Sequence, residues 1–145
     1  CEMCIRDRSQ IAPWVKVQLE GSEAQVHYAN LRAPNFIAGD GGWIADFNDA
    51  INYLKLMRKS TGAQNYSGYF NPEYERLLET ADNERDAAKR GMLLNEAEQL
   101  MLSTSPVVPV AFGTSRNLVH PGLAGWETNL EDVHRARYFR LNATA

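Results

Sequence analysis

The sequence has 145 residues, of which 44% are hydrophobic and 23% charged, and its formal net charge is −3. These values are ordinary for a globular domain with a sizeable core, and the lack of a basic stripe argues against nucleic acid as a partner. No apolar run approaches the roughly 18 residues that a membrane span needs.

The two cysteines, Cys1 and Cys4, lie together at the start of the chain. A C-x-x-C pair can be half of a zinc site, but no second pair of cysteines or histidines has the spacing of metal ligands. We therefore predict no metal site and no cofactor. Residues 1–9 look like translated read-through from a sequencing adapter, so we interpret them as non-native and leave them out of the fold prediction.

The first predicted elements are a strand, a helix and a second strand. Residues 14–20 alternate between apolar and polar, which is typical of a half-buried strand. Ser22 is the expected N-cap of a helix that continues to Arg32, and residues 35–38 form the second strand. This order favours a parallel βαβ unit and an α/β fold class.

A glycine-rich loop follows the second strand and is the strongest functional signal in the chain. Gly39, Gly41 and Gly42 allow the backbone to approach a ligand closely, and Trp43 and Asp46 come directly after them. In one interpretation Asp46 pairs with a ligand ammonium while the indole of Trp43 excludes water. In the other, Asp46 caps the next helix and Trp43 lies in the core.

The remaining elements are predicted from helix caps and apolar spacing. In chain order they are a helix over 49–58, a loop over 59–70, a helix with Asn71 as N-cap and Pro72 at its first position, a helix capped by Asn83 that runs to about Leu102, a strand over 107–112 that contains a proline, and a short last strand over 138–141.

Placed in order, these segments resemble the oligopeptide- and dipeptide-binding proteins of bacterial ABC importers, the extracellular solute-binding family 5. The segments that carry the resemblance are residues 42–48 (GWIADFN), 65–74 (NYSGYFNPEY), 96–99 (EAEQ), 105–110 (SPVVPV), 118–122 (LVHPG) and 132–134 (DVH). The resemblance covers about residues 10–142 and implies that the chain corresponds to the C-terminal quarter of such a protein.

The fold that this resemblance implies is the C-terminal portion of a two-lobed, class II periplasmic-binding-protein fold. Residues 10–112 would be part of the second lobe. Residues 113–145 would continue the crossing strand and return to the first lobe. Trp126, Tyr138 and Phe139 should then lie in apolar patches or loosely packed segments, because the first lobe would cover this tail.

The resemblance also assigns a ligand site. Asp46 would pair with the α-ammonium of a peptide, Trp43 would line a side-chain pocket, and the backbone near Ile44, next to Gly42, would pair with the extended peptide. Phe112 would face the cleft from the crossing strand, although packing in the core is the alternative for it. Asp40 stands where some oligopeptide binders carry a basic residue for the ligand carboxylate, which leaves ligand length open.

The function implied is capture of a peptide between two lobes and its delivery to a membrane permease. The protein would be a periplasmic or otherwise extracytoplasmic monomer, with a lipid anchor as one option, and it would not be an enzyme. Alternative ligands are a nickel complex, an oligosaccharide or an opine. The alternative role is the ligand-sensing domain of a transcriptional regulator. A catalytic or metal set of Asp46, Asp49 and His27 is disfavoured, since acids near a helix start are usually caps.

Overall fold

The structure is a computed structural model that describes residues 12–16, 18, 20–33 and 36–142. The segment interpreted as read-through, 1–9, lies outside these residues. The elements in them are helices α1 (Ala24–Arg32), α2 (Ile51–Leu54), α3 (Pro72–Asn83) and α4 (Ala87–Ser103), strands β1 (Leu123–Ala124) and β2 (Arg140–Leu141), and 3₁₀ segments at Lys55–Met57, Lys59–Gln64 and Ala136–Tyr138. None of the helices in these ranges has both the length and the apolar character needed to cross a bilayer.

The core is formed by α3 packed against α4, with the end of α2 added to it. Its buried side chains are Leu54, Tyr74, Leu77, Leu78, Ala81, Leu94, Ala97 and Met101. On α3 they follow the spacing i, i+3, i+4, i+7, so the apolar face predicted there is confirmed. The hydroxyl of Tyr74 donates to the carbonyl oxygen of Leu54 at 2.7 Å. This bond satisfies a buried polar group and joins α2 to the helix pair.

The caps of α3 and α4 show where local prediction was right and where it was wrong. Asn71 Oδ1 accepts from the backbone N–H of Glu73 at 2.9 Å, and Pro72 occupies the first helical position, as predicted. Asn83 is the last residue of α3 and not the cap of α4, because its side-chain amide donates to the carbonyl of Glu79. Asp86 caps α4 instead.

Two other helix boundaries also differ from the prediction. The N-cap of α1 is Glu23 and not Ser22, since the Glu23 carboxylate accepts from the backbone N–H of Gln25 at 2.9 Å. The helix predicted over 49–58 is α-helical only as α2, and a 3₁₀ turn follows it at Lys55–Met57.

The predicted strands near the start of the chain, and the parallel βαβ unit built from them, are not found in the described residues. Val17, Leu19 and Asn35 lie outside those residues, and the described parts of both stretches belong to no ladder. Residues 107–112 are likewise unpaired and largely exposed. The one strand pair within the described ranges is antiparallel, with Leu123 opposite Leu141. A strand pattern needs a neighbouring strand to bond with, and these stretches have none among the described residues.

The tail after residue 120 forms a small unit around β1 and β2. The indole of Trp126 stacks on the imidazole of His134, with ring centroids 3.5 Å apart, and lies 5.6 Å from the ring of Phe139. Gly125 has φ = 86°, and an added Cβ would overlap the carbonyl of Tyr138, so this turn requires glycine. Trp126 and Phe139 are half-buried against each other, and Tyr138 is exposed. The last strand, predicted over 138–141, is shortened to β2.

Candidate ligand-binding site

The glycine-rich loop lies between α1 and α2 and is pressed onto α1. An added Cβ at Gly39 would overlap the buried side chain of Leu31, and one at Gly41 would lie 3.9 Å from it. The imidazole Nε2 of His27 donates to the carbonyl oxygen of Asp40 at 2.6 Å. The sequence predicted that the glycines allow close approach to a ligand. In the structure, Gly39 instead approaches Leu31 of the same chain. Gly42 has open space where its Cβ would be.

Trp43 is positioned by a hydrogen bond to Asn52 on α2. The indole Nε1 donates to Asn52 Oδ1 at 2.7 Å, and the Asn52 side chain is fully buried, with 0% exposure. The amide nitrogen of Asn52 lies 3.4 Å from Oδ2 of Asp46 and donates to it. A buried amide that uses both ends in this way sets the positions of both neighbours. Asn52 therefore links the two residues that the sequence singled out.

Asp46 itself projects toward solvent. Its side chain is 62% exposed, and Oδ2 lies 3.3 Å from Nζ of Lys55, whose side chain is 35% exposed. It does not cap α2: Oδ1 of Asp49 accepts from the backbone N–H of Ile51 at 2.9 Å. The interpretation of Asp46 as a helix cap is thus wrong, and Asp49 makes that contact.

Asp49 is also paired with an arginine of the helical core. Arg90 on α4 donates to both carboxylate oxygens, at 2.8 Å and 3.0 Å. The hydrogen bonds from Arg90, and after them the one from the Ile51 backbone, hold the pKa of Asp49 below its usual value. Both oxygens of Asp49 are used in hydrogen bonds that join α2 to α4. This argues against a reactive pair of Asp49 with Asp46. In the described ranges, no three metal-ligating side chains form a group.

Burial alternates along the residues that follow the glycines. Gly42, Ile44 and Asp46 are exposed, whereas Trp43 is half-buried and Ala45 is buried. This period of two is the pattern of an extended segment with one face on the protein and one face free. The sequence-predicted residues Gly42, Ile44 and Asp46 therefore share the free face.

Phe112 is placed apart from this group. Its side chain is 100% exposed in the extended segment after α4, so the alternative of core packing is wrong for it in this structure. The structure brings Trp43 and Asp46 together through Asn52, and it does not bring Phe112 to them.

Sequence reasoning missed Asn52, Lys55 and Arg90. The only available signal for Asn52 was a polar residue inside the short apolar stretch 51–54, which needs partners if it is buried. Lys55 and Arg90 carried no signal, because a charged residue on a helical segment is normally solvated.

Comparison with known proteins gives binding proteins, most of them named for peptides and others for deoxycholate or heme. No family model matches the chain. The chain is 38% identical over 111 residues to the oligopeptide-binding protein OppA of Bacillus subtilis. The aligned region covers 77% of this chain and 20% of that protein. The chain is 30% identical over 124 residues to the periplasmic murein peptide-binding protein MppA of Escherichia coli. The aligned region covers 85% of this chain and 23% of that protein.

The solved structures agree with the sequence relatives. A structure of E. coli MppA superposes on 97% of this chain with a TM-score of 0.87 at 26% identity. These matches are consistent with a fragment of a family 5 solute-binding protein. The chain spans about a quarter of the MppA chain, 27%, and has the fold of part of a two-lobed periplasmic binding protein.

The unliganded open form of MppA matches the same share of the chain, 97%, less closely, with a TM-score of 0.75. The two MppA structures therefore differ in how the matched part is arranged. The relatives named above are all described as binding proteins.

Proposed function

We propose that this segment supplies the part of a peptide-importer binding protein that recognises the amino-terminal end of the ligand. The observation that carries the proposal is the solvent-facing carboxylate of Asp46, which the buried amide of Asn52 links to the indole N–H of Trp43. A carboxylate next to an apolar wall is suited to a primary ammonium, and the α-ammonium of a peptide is such a group.

The free face of residues 42–46 supports binding of an extended main chain. Gly42 and Ile44 are exposed, and the backbone there is outside any helix or strand. An extended peptide laid against it would gain main-chain hydrogen bonds that do not depend on its side chains. This mode of binding accepts many sequences, in keeping with relatives named for oligopeptides and for murein peptide.

The role we propose is binding without chemistry. Asp49, the one acid close to Asp46 in sequence, is used by Arg90 and the start of α2. The ligand would be captured between two lobes, with residues 10–112 in the second lobe and 113–145 leading back to the first, and Phe112 would reach the cleft from the crossing segment. Closure follows when the ligand binds the closed arrangement more tightly than the open one.

The complete protein would act outside the cytoplasm, as a monomer with no metal or cofactor, and pass its ligand to a membrane permease. Calorimetric titration of the complete protein with di-, tri- and pentapeptides tests the binding role. We expect saturable binding of at least one peptide class. Saturable binding of a nickel complex or an oligosaccharide, with no binding of any peptide, would contradict it.

A further inference from the structure

The carboxylate proposed to receive the ligand already has a cation beside it. Lys55 lies in the 3₁₀ turn directly after α2, and its Nζ is 3.3 Å from Oδ2 of Asp46. We infer that Lys55 is a built-in counter-ion of Asp46 that reduces the preference of the site for a free amino terminus. This inference rests on the proposed function.

The lysine is held in place by more than one contact. Its Nζ lies 5.0 Å from the centroid of the Phe47 ring, close enough for a cation–π interaction. Its side chain is only 35% exposed, against 62% for Asp46. A long side chain with an aromatic contact and a carboxylate contact gives up fewer rotamers on pairing than one in open solvent.

The contacts to Asp46 leave one of its oxygens for the ligand. Among the described residues, the hydrogen bonds to this carboxylate come from Asn52 and Lys55, and both go to Oδ2. A ligand ammonium would therefore approach Oδ1. It would then sit within a few ångströms of Lys55, because both cations share one carboxylate.

Two cations at one carboxylate oppose each other. The ligand either shares the carboxylate with Lys55 or displaces it, and each route cancels part of the attraction. For a partly exposed pair, we expect the cancelled part to correspond to roughly a 2- to 5-fold loss in discrimination between charged and uncharged amino ends. The ligands favoured by this arrangement are peptides in general, including those with an acylated amino terminus, rather than free-amino peptides alone.

The test is a ratio of two dissociation constants in the complete protein. Trialanine and N-acetyl-trialanine are titrated into wild type, Lys55→Met, Lys55→Arg and Lys59→Met. Lys59 is the matched control, since its Nζ lies 5.2 Å from the centroid of the Phe70 ring and it makes no ion pair with Asp46 within the described chain. Lys55→Gln, which keeps a polar end, is the second variant should Lys55→Met fold poorly.

We expect the preference for the free amino terminus to rise roughly 2- to 5-fold in Lys55→Met and to stay unchanged in Lys55→Arg and Lys59→Met. Peptide binding with the same or a smaller preference in Lys55→Met would overturn this inference alone. No binding of either peptide by wild type or by any variant would overturn the proposed function, and this inference with it.

Discussion

Arg90 and Asp49 are 41 residues apart in the sequence and form a two-point ion pair, at 2.8 Å and 3.0 Å. Asp49 also accepts a hydrogen bond from the backbone N–H of Ile51, the first residue of α2. The pair therefore joins the short helix that carries Asn52 to the long helix α4 of the core. This contact and the hydrogen bond from Tyr74 to the Leu54 carbonyl together position the candidate site relative to the core.

The first prediction concerns the stability that this pair supplies. Arg90→Leu should lower the free energy of unfolding by about 1 kcal/mol, because a two-point, half-exposed ion pair is stronger than a simple surface pair. Urea denaturation of the chain measures it. Arg76→Leu is the control: Arg76 pairs with Glu73 on the exposed face of α3, and its loss should change stability by less than about 0.5 kcal/mol. Equal effects of the two variants would contradict the role given to Arg90.

The second prediction is the pH dependence of the same pair. The pKa of Asp49 in the folded chain lies below its usual value, mainly because of the hydrogen bonds from Arg90. A lowered folded pKa stabilises the fold above the unfolded pKa, and this contribution is lost as the pH falls through the folded pKa. Asp49→Asn should therefore lose less stability than wild type when the pH is lowered from about 5 to about 3. Denaturation curves at each pH give the free energy of unfolding of the two proteins. An equal decrease in both would argue against a lowered pKa of Asp49.

The third prediction concerns the buried amide under Trp43. Asn52→Leu removes the acceptor for the indole N–H and should cost about 1 to 3 kcal/mol, since a half-buried donor is left unpaired. Asn52→Asp keeps an oxygen near the indole but loses the donor to Asp46. In a background with Trp14 and Trp126 replaced by Phe, Trp43 emission should shift in Asn52→Leu and stay near wild type in Asn52→Asp. An identical emission spectrum in the two variants would show that loss of the hydrogen bond from Trp43 to residue 52 does not cause the shift.

The fourth prediction separates two glycines by their surroundings. Gly125→Ala should destabilise the tail by more than about 1 kcal/mol, because φ is 86° and the added Cβ would overlap the Tyr138 carbonyl. Gly91→Ala should stabilise the chain by about 0.5 to 1 kcal/mol, since Gly91 is exposed within α4 and has open space around it. Hydrogen exchange at the backbone N–H of Asn142, which donates to Gly122, reports the tail directly. A tail as well protected in Gly125→Ala as in wild type would show that the turn tolerates a side chain.

The elements that were predicted correctly are those specified by nearby residues. The start of α3 follows from Asn71 and Pro72, and its buried face follows from apolar spacing, both of which act within a few turns of helix. The cap of α4 was misplaced by three residues because Asn83 and Asp86 are equally good caps, and only the side-chain bond of Asn83 back into α3 distinguishes them.

The strands and the supporting residues could not be predicted from local pattern. Alternation over 14–20 describes which side chains could face a core, but a ladder needs a partner strand that sequence spacing does not specify. For the candidate site, Trp43 and Asp46 were found from residue type, whereas Asn52 and Lys55 become relevant only through contacts across the turn of α2. Family likeness added the ligand class but no information on these contacts.

The Asp46→Asn variant of the complete protein shows whether Asp46 pairs with the α-ammonium of the ligand. Glu79→Gln is the matched control, because Glu79 is an exposed acid on α3, outside the glycine-rich loop. Calorimetry should show that Asp46→Asn weakens binding of a free-amino tripeptide by about 2 to 5 kcal/mol, as expected when one partner is removed from a charge pair that closure of the lobes buries. Binding of the N-acetylated tripeptide should hardly change in Asp46→Asn, and Glu79→Gln should change the binding of neither peptide. Equal affinity of wild type and Asp46→Asn for the free-amino tripeptide would contradict the account.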